Sequence, residues 1–438
     1  MTAPDTIVAV STPPGKGGVG IVRVSGPKIP GLLPILFKKK RFLPRQASFC
    51  SFYGKEGVLD KGLVLFFPAP HSFTGESVLE FHGHGNPVIQ EALLSEVLSH
   101  GVRLAEPGEF SKRSYLNDKI DLTQAEAVAD LIHATTLRAA KMALRSLSGV
   151  FSDKISQIAQ ELLKLRIYVE AAIDFSDEEI DFLGDTALFT QLASLEAALI
   201  SIMAQAHQGC RVQEGLRVAI VGAPNAGKSS LFNALVQQDA AIVTNIPGTT
   251  RDVLKETLFV QGIPLHLMDT AGLRETSDVV ERLGVGKSYQ TIEQSDIVLW
   301  VVDEKTKTVL PPSNVKNWTV LNKADETQKP VGQVSERCFR LSAKTGAGLS
   351  VLKEALVSGY IQTSEEEGGF TARKRHVEAL KAALEAIQEA RRQLRDHHAL
   401  ELAAEDLKRA HQFLGDITGR VTSDALLGEI FSSFCIGK

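Results

Sequence analysis

The chain has 438 residues, of which 44% are hydrophobic and 23% charged, and its formal net charge is −4. This length predicts roughly two to four globular domains, and the charge excludes a chain that is basic throughout. No apolar run reaches the roughly 18–20 residues of a membrane span. The N-terminus lacks a secretory signal's basic segment, and the four cysteines show neither disulfide nor zinc spacing. We therefore expect a reduced, cytoplasmic protein without membrane contact.

Residues 1–118 are rich in glycine, proline and short apolar segments, which predicts a compact α+β domain. Four segments have the composition of strands bounded by turn residues: Ile7–Val10, Ile21–Val24, Leu63–Phe67 and Val78–Phe81. The basic run Lys38–Arg41 is the best candidate for nucleic-acid contact, although its charge pattern favours a solvated loop. His82 and His84 could bind a metal, but a site needs further ligands.

Helical periodicity appears twice, in residues 119–214 and again in residues 361–438. In both segments apolar residues recur at spacings of three and four, as on one helical face: Leu162, Leu165, Val169, Ile173 and Leu380, Leu384, Ile387, Leu394. The acidic stretch Asp174–Asp181 lacks the spacing of a calcium loop and indicates a solvated helix junction. Because neither segment is long enough for a core of its own, we expect the two to pack together. The region between them is then an insertion.

Residues 215–360 alternate strands and helices, as an α/β domain does. The apolar strand Arg217–Val221 leads into Gly222–Ser229, which has the pattern G-x-x-x-x-G-K-[ST] of a phosphate-binding P-loop. The glycines let backbone N–H groups turn toward phosphate oxygens. Lys228 supplies positive charge at the β- and γ-phosphates, and the Ser229 hydroxyl can ligate magnesium.

Three further motifs follow in the order that a GTP site requires. Asp269–Gly272 ends a strand and suits magnesium and the γ-phosphate. In Asn322–Asp325, the Asp325 carboxylate can accept two hydrogen bonds that guanine offers and adenine does not. Ser342–Lys344 suits a backbone contact to the guanine oxygen. The residues expected at the nucleotide are Asn225, Ala226, Gly227, Lys228, Ser229, Ser230, Thr244, Asn245, Ile246, Pro247, Gly248, Thr249, Thr250, Asp269, Thr270, Ala271, Gly272, Asn322, Lys323, Ala324, Asp325, Ser342, Ala343 and Lys344.

The hydrolytic machinery differs from that of Ras-like enzymes. Leu273 follows the Asp-x-x-Gly motif, where those enzymes place a glutamine that orients water. A leucine side chain forms no hydrogen bond, so another group must position the water and another cation must offset the developing charge. Gly248–Asp252 is the natural first switch segment, with Thr250 as a second magnesium ligand.

Beyond these motifs, the chain resembles the MnmE (TrmE) family of bacterial tRNA modification GTPases over its whole length. The stretches that carry the resemblance are Thr12–Gly20, Ser72–Glu76, Pro107–Phe110, Asn117–Leu122, Tyr168–Asp181, Thr249–Val253 and the C-terminal Phe434–Lys438. The resemblance implies an N-terminal folate-binding α+β domain, a discontinuous helical domain and an inserted Ras-like P-loop GTPase domain.

The resemblance also implies partners and a reaction. The family works with an FAD-dependent flavoprotein, MnmG (GidA), on the wobble uridine of certain tRNAs. The two proteins install a carboxymethylaminomethyl or aminomethyl group at carbon 5 of the uracil, using a one-carbon unit from 5-formyltetrahydrofolate or a related folate. A homodimer formed through the N-terminal domain, and a heterotetramer with the flavoprotein, are implied as well.

The family's GTPase depends on potassium, and the resemblance assigns the ion's ligands to Asn225, Thr244, Ile246 and Thr249. A fixed monovalent cation beside the phosphates can supply the charge that an arginine finger supplies elsewhere. The family's water-positioning acid corresponds to Glu281, which the sequence alone presents as an ordinary exposed glutamate.

For the folate, the resemblance points to Arg23, Glu80, Lys119 and Lys438, and it suggests a reactive role for Cys435. Glu80 could pair with the aminopyrimidine edge of the pterin, and the basic groups could meet carboxylates. The alternatives are an ordinary ion pair between strands for Arg23 and Glu80 and a small hydrophobe in a frayed C-terminus for Cys435.

Two other functions stay open at this point. The first is a GTPase that assists ribosome assembly, as the related Era and Der families do, although those families lack the N-terminal domain and the Phe434–Lys438 ending. The second makes the N-terminal domain a folate enzyme that works independently of the GTPase domain.

Overall fold

The computed structural model describes residues 5–174, 186–237, 255–269, 292, 295–305, 317–327, 329–358, 369–420, 424–432 and 434–437. The chain divides into two compact units. Unit 1 comprises Met1–Ala129, Ser146–Glu196 and Ala382–Lys438, and unit 2 comprises Asp130–Arg145 and Ala197–Lys381.

Strands and helices of the described residues are numbered in chain order. The strands are β1 (Ile7–Val10), β2 (Gly17–Ser25), β3 (Ser48–Gly54), β4 (Gly57–Phe67), β5 (Val78–Gly85), β6 (Arg103–Leu104), β7 (Leu216–Gly222), β8 (Lys255–Val260), β9 (Ile263–Asp269), β10 (Ile297–Asp303), β11 (Asn317–Asn322), β12 (Gly332–Ser335) and β13 (Cys338–Arg340). The helices are α1 (Ile29–Phe37), α2 (Pro87–Leu98), α3 (Glu109–Leu116), α4 (Leu122–His133), α5 (Leu137–Leu147), α6 (Val150–Asp174), α7 (Thr186–Glu214), α8 (Lys228–Gln237), α9 (Leu349–Ser358), α10 (Lys374–Arg392), α11 (Leu400–Thr418) and α12 (Asp424–Ser432).

The N-terminal part of unit 1 is a six-stranded sheet in the order β3-β4-β5-β2-β1-β6. Neighbouring strands are antiparallel, except that β6 pairs with β1 in parallel. The four strands predicted from the sequence lie within β1, β2, β4 and β5, which confirms them. Sequence reasoning missed β3 and β6. In β3, polar residues occupy positions on both faces, so the strand lacks a clean apolar alternation.

The core between this sheet and its helices is built around aromatic rings. Phe37 of α1 lies 5.2 Å from the ring of Phe52 and 6.0 Å from the ring of Phe81, measured between centroids. All three side chains are buried, and offset or edge-on aromatic pairs stabilise a core beyond their buried area. One face of α1 is therefore packed against this core.

The helical part of unit 1 brings distant segments of the chain together. Helix α6 runs along α11, which confirms the expectation that the two periodic segments of the sequence pack on each other. Leu162, Leu165 and Val169 of α6 are buried, whereas Ile173 is partly exposed. Most of the acidic stretch that follows α6 lies outside the described residues.

Helix α7 corrects the expectation that no segment is apolar and long enough for a membrane. By length and composition it is the one described helix that could cross a bilayer, with mean hydropathy 1.6 over 18 residues. Core helices of soluble proteins have the same length and composition. Its buried residues recur at spacings of three and four, as on a helix packed on one face: Leu188, Leu192, Leu195 and Leu199.

Unit 2 is an α/β layer structure around a seven-stranded sheet in the order β12-β13-β11-β10-β7-β9-β8. The central strands are parallel, and β8 and β12 pair with their neighbours in antiparallel orientation. Parallel strands end at the same edge of a sheet. Hence the carboxyl ends of β7, β9, β10 and β11 lie at one edge.

A cluster of charged side chains fixes the start of α3 against the N-terminal sheet. Glu109 is buried and accepts hydrogen bonds from Arg103 at 2.6 Å and from Arg113 at 2.9 Å. Arg113 also binds Glu76 at 3.0 Å. Burial favours the neutral form of Glu109, but the hydrogen bonds from Arg103, from the backbone of Glu106 and from Arg113 outweigh it and hold its pKa below the ordinary value.

We predict that Glu109→Gln destabilises the N-terminal sheet by about 1–3 kcal/mol at neutral pH, because it removes a buried acceptor of charged hydrogen bonds. The depressed pKa of Glu109 contributes stability that is present above the ordinary pKa and is lost as pH falls through the folded value. The difference between variant and parent, measured by hydrogen–deuterium exchange of β1 and β2, should therefore shrink at acid pH.

The matched control is the exposed Glu91→Gln on α2, which should leave exchange unchanged at every pH. If Glu109→Gln changes hydrogen–deuterium exchange equally at neutral and acid pH, Glu109 stabilises the sheet through its shape and not through its charge.

Candidate functional site

The P-loop occupies the turn between β7 and α8, at the edge where the parallel strands end. The Nζ atom of Lys228 donates hydrogen bonds to the carbonyl oxygens of Gly222 and Ala223, each at 2.9 Å. The Lys228 side chain thus folds back over the loop. Its ammonium group lies on the concave side of the loop, which in this motif surrounds a phosphate. Asn225 has a positive φ of 62°, a conformation that asparagine tolerates better than most residues.

Asn322 joins the P-loop to the other two nucleotide motifs in the described part of unit 2. Its side-chain amide is buried and donates to the carbonyl oxygen of Ala226 at 3.1 Å. Its Oδ1 accepts from the backbone N–H of Ala343 at 3.0 Å. A Cβ atom on Gly227 would lie 2.2 Å from the Asn322 amide nitrogen, and Gly227 has a φ of 92°. The close approach of Asn322 therefore requires glycine at that position.

The Asp325 carboxylate is oriented by the third motif. The hydroxyl of Ser342 donates to Asp325 at 2.6 Å and holds the pKa of this carboxyl below its ordinary value. The same hydroxyl accepts from the backbone of Thr345 at 3.2 Å, which fixes its direction. Asp325 is consequently an ionised, pre-oriented acceptor at the rim of the sheet.

Sequence reasoning missed one residue at this edge, Asp303 at the end of β10. Its carboxylate accepts a hydrogen bond from Nζ of Lys323 at 2.7 Å, and Lys323 has a positive φ of 65°. The bond from Lys323, with a further one from the backbone of Lys305, lowers the pKa of Asp303. The signal was present in the sequence, because β10 ends in an acid at the edge shared by the three motifs.

The structure therefore brings together Asn225–Ser230, Asn322–Asp325 and Ser342–Lys344, which are the described nucleotide residues of the prediction. Asp269 ends β9 at the same edge, and only its backbone is described. The other predicted residues lie outside the described part of the chain: Thr244, Asn245, Ile246, Pro247, Gly248, Thr249, Thr250, Thr270, Ala271, Gly272, Glu281 and Lys438.

A second cluster lies in unit 1, on strands β2 and β5. Arg23 pairs with Glu80 at 2.8 Å, and Glu80 also meets Nε2 of His82 at 3.0 Å. The guanidinium of Arg23 lies over the ring of Phe110, 5.6 Å from its centroid. His84 pairs with Asp60 instead, at 2.7 Å, so the two histidines belong to separate pairs. No group of three metal-ligating side chains occurs among the residues that the structure describes.

The C-terminal segment docks on the N-terminal sheet instead of fraying. The backbone of Gly108 donates to the carbonyl oxygen of Cys435 at 3.3 Å, and Ile436 pairs with Pro107 as an isolated bridge. Gly437 has a φ of 94°, and a Cβ there would lie 2.4 Å from the carbonyl oxygen of Val10. Only glycine fits so close to β1. The side chain of Cys435 is exposed.

This docking places the C-terminal backbone at the Arg23 cluster. Arg23 donates from Nη1 to the carbonyl oxygen of Gly437 at 3.3 Å. Lys119 is not joined to that cluster by any hydrogen bond or ion pair of the described residues. It borders a cavity of about 560 Å³ that is also lined by Tyr115, Ser156 and Arg420. The structure thus unites Arg23, Glu80 and the Gly437 backbone.

Two family models match the chain. One, described as the MnmE helical domain, matches residues 122–435. The other, described as the GTP-binding protein TrmE N-terminus, matches residues 6–119. The two matches together span both compact units of the fold.

Full-length relatives give the same result. The tRNA modification GTPase MnmE of Legionella pneumophila (strain Paris) is 52% identical over 447 aligned positions, covering 99% of each chain. The tRNA modification GTPase MnmE of Pectobacterium carotovorum subsp. carotovorum (strain PC1) is 50% identical over 457 positions, covering 100% of each. The chain that carries this P-loop, the motifs around Asn322 and the docked C-terminal segment therefore belongs to the MnmE family.

Proposed function

We propose that this chain hydrolyses GTP and acts in the modification of tRNA in the cytoplasm. The observation that supports this function best is the buried Asn322 amide, which holds the P-loop, the Asp325 motif and the Ser342 motif in one arrangement. Phosphate binding and base recognition are thereby coupled in a single site. The names of the full-length relatives add tRNA modification to GTP hydrolysis.

Selection of guanine rests on Asp325. Guanine presents a ring N–H and an exocyclic amine side by side, and a carboxylate can accept a hydrogen bond from each. Because Ser342 already orients the carboxylate and lowers its pKa, little rotamer freedom is lost when the base binds. A site built on such bonds rejects a base that lacks them by roughly 10⁴-fold or more.

We predict that Asp325→Asn weakens GTP binding by at least ~10²-fold and improves binding of xanthosine triphosphate. Xanthine keeps the ring N–H but replaces the exocyclic amine with an oxygen, which the asparagine amide can meet as a donor. Fluorescence titration with both nucleotides measures the change. Glu336→Gln, an exposed position in the same unit, should change neither affinity. Unaltered GTP affinity in Asp325→Asn would remove this residue from base recognition.

We further propose magnesium and potassium as the metal ions of the site. Ser229 and Thr250 would hold magnesium, and Asn225, Thr244, Ile246 and Thr249 would hold potassium. Asn225 fits this role because it is exposed in the turn of the P-loop, where its backbone has a positive φ. A monovalent cation there would supply positive charge beside the phosphates, as an arginine finger does elsewhere.

We predict that GTP hydrolysis is faster by at least ~10-fold in potassium chloride than in sodium chloride at equal ionic strength, because the smaller sodium ion fits the same oxygens less well. Asn225→Gly should abolish this preference, since glycine accepts the positive φ but lacks the side-chain oxygen. Equal rates of the parent in both salts would contradict the potassium assignment.

Glu281 is proposed as the residue that positions the attacking water. It replaces the function of the glutamine that is absent at Leu273, and a carboxylate can accept a hydrogen bond from water.

We predict that Glu281→Ala leaves GTP affinity within about twofold of the parent and lowers the rate of hydrolysis by ~10²-fold or more, the scale of losing a positioned catalytic group. Single-turnover hydrolysis and nucleotide titration separate the two effects. Glu275→Ala is the matched control in the same segment. If both variants hydrolyse GTP alike, the water is positioned by another group.

The N-terminal domain is proposed to bind 5-formyltetrahydrofolate or a related folate through Arg23, Glu80, Lys119 and Lys438. The contact between Arg23 and the Gly437 backbone supports a site that includes the chain's end, where Cys435 would be the reactive side chain. Lys119 and Lys438 would meet carboxylates of the ligand. A homodimer and an FAD-dependent MnmG (GidA) partner complete the proposal, with domains at residues 1–118, 119–214, 215–360 and 361–438.

A further inference from the structure

Positive charge is concentrated in one segment of an otherwise acidic chain. Residues 6–55 contain nine basic residues and no acidic one, although the net charge of the whole chain is −4. The basic residues are Lys16, Arg23, Lys28, Lys38, Lys39, Lys40, Arg41, Arg45 and Lys55. A local excess of this size makes a positive potential that the net charge conceals.

The densest part of this segment is the turn that follows α1, formed by Lys38, Lys39, Lys40 and Arg41 and called here the basic turn. All four residues are exposed. None of them belongs to an ion pair among the described residues, whereas Arg23, Arg103 and Arg113 of the same domain are each paired with carboxylates. The charge of the basic turn is therefore available to an external partner.

Two aromatic rings restrict the basic turn. The Nζ atom of Lys38 lies 5.2 Å from the ring centroid of Tyr53, and that of Lys39 lies 5.3 Å from the ring centroid of Phe42. Lys38 is also the residue that caps the C-terminal end of α1, with a positive φ of 55°. Because these contacts restrict the side chains before a partner arrives, less conformational entropy is lost on binding.

The clustered charge, together with the proposed function, favours a nucleic acid over a membrane as the partner. Insertion into a bilayer needs a broad apolar face beside the basic groups. Most apolar residues of the adjacent α1 are buried in the aromatic core (Ile29, Leu32, Leu33, Leu36 and Phe37), whereas Ile35 and Leu43 are exposed. Four clustered cations without ion-pair partners among the described residues suit a row of phosphates, and the tRNA of the proposed function supplies such a row.

We propose that the basic turn is a contact site for the phosphate backbone of tRNA. This inference rests on the proposed function in tRNA modification and adds the surface that holds the substrate. It separates two tasks in the N-terminal domain. The Arg23 and Glu80 cluster serves the small-molecule ligand, and the basic turn supplies binding energy that does not depend on base sequence.

The test is a charge-neutralised variant of the full-length chain, Lys39→Gln with Lys40→Gln and Arg41→Gln. Lys38 is retained because it caps the C-terminal end of α1. Binding of bulk bacterial tRNA is measured by fluorescence anisotropy over a series of potassium chloride concentrations. Each lost phosphate contact lowers the slope of log Kd against log salt by about 0.7–0.9. We expect the slope to fall by about two and the affinity at low salt to fall by about tenfold or more.

The matched control carries Lys164→Gln, Lys374→Gln and Lys408→Gln, which removes the same charge from exposed helical positions. It should retain the parent's slope and affinity. Both variants should hydrolyse GTP at the parent rate, because neither changes a residue of the nucleotide site. An equal loss of affinity in both variants would show that only net charge matters and would overturn the proposal.

Four other outcomes would also overturn it. An unchanged slope in the first variant would exclude the basic turn from tRNA contact while leaving the proposed function intact, provided that tRNA modification persists. Loss of tRNA binding together with a change in oligomeric mass would make this surface an interface between copies of the chain. Loss of sedimentation with phosphatidylglycerol vesicles, with tRNA binding unchanged, would make it a membrane contact. If the parent itself neither binds nor modifies tRNA, the proposed function fails as well.

Discussion

The nucleotide edge of unit 2 depends on one buried side chain. The Asn322 amide meets a P-loop carbonyl with its nitrogen and the backbone of Ala343 with its oxygen. A buried amide that lost either partner would leave a polar group unsatisfied, at a cost of about 1–3 kcal/mol. Displacement of any of the three motifs is therefore opposed by the other two. The Asp325 carboxylate and the Lys228 ammonium group are therefore held in a fixed relative position by this amide.

Sequence reasoning succeeded where the determining pattern is local. The P-loop follows from glycines at fixed spacing between a strand and a helix, and Gly227 is required by the approach of Asn322. The strands β1, β2, β4 and β5 follow from short apolar runs between turn residues. Strand β3 was missed because its pairing with β4 places polar residues on both faces. Its position in the sheet comes from tertiary packing of Phe52, which no local pattern contains.

The misses at the sites have the same physical origin. The Asp303 carboxylate accepts a hydrogen bond from Lys323 only because β10 lies beside β11 in the sheet. Gly437 packs beside Val10, a residue more than 400 positions earlier in the sequence. No local sequence pattern predicts a contact between residues so far apart. The family resemblance supplied candidate residues, but not their distances.

The contact between Arg23 and Gly437 joins residues 414 positions apart. During translation, Arg23 leaves the ribosome long before its partner has been made. At about 5–20 residues per second, this interval is on the order of 20–80 s. The N-terminal sheet can fold in that time, but the cluster at Arg23 is completed only when synthesis reaches the last residues. A chain truncated before Phe434 would therefore carry an intact nucleotide edge and an unfinished N-terminal site.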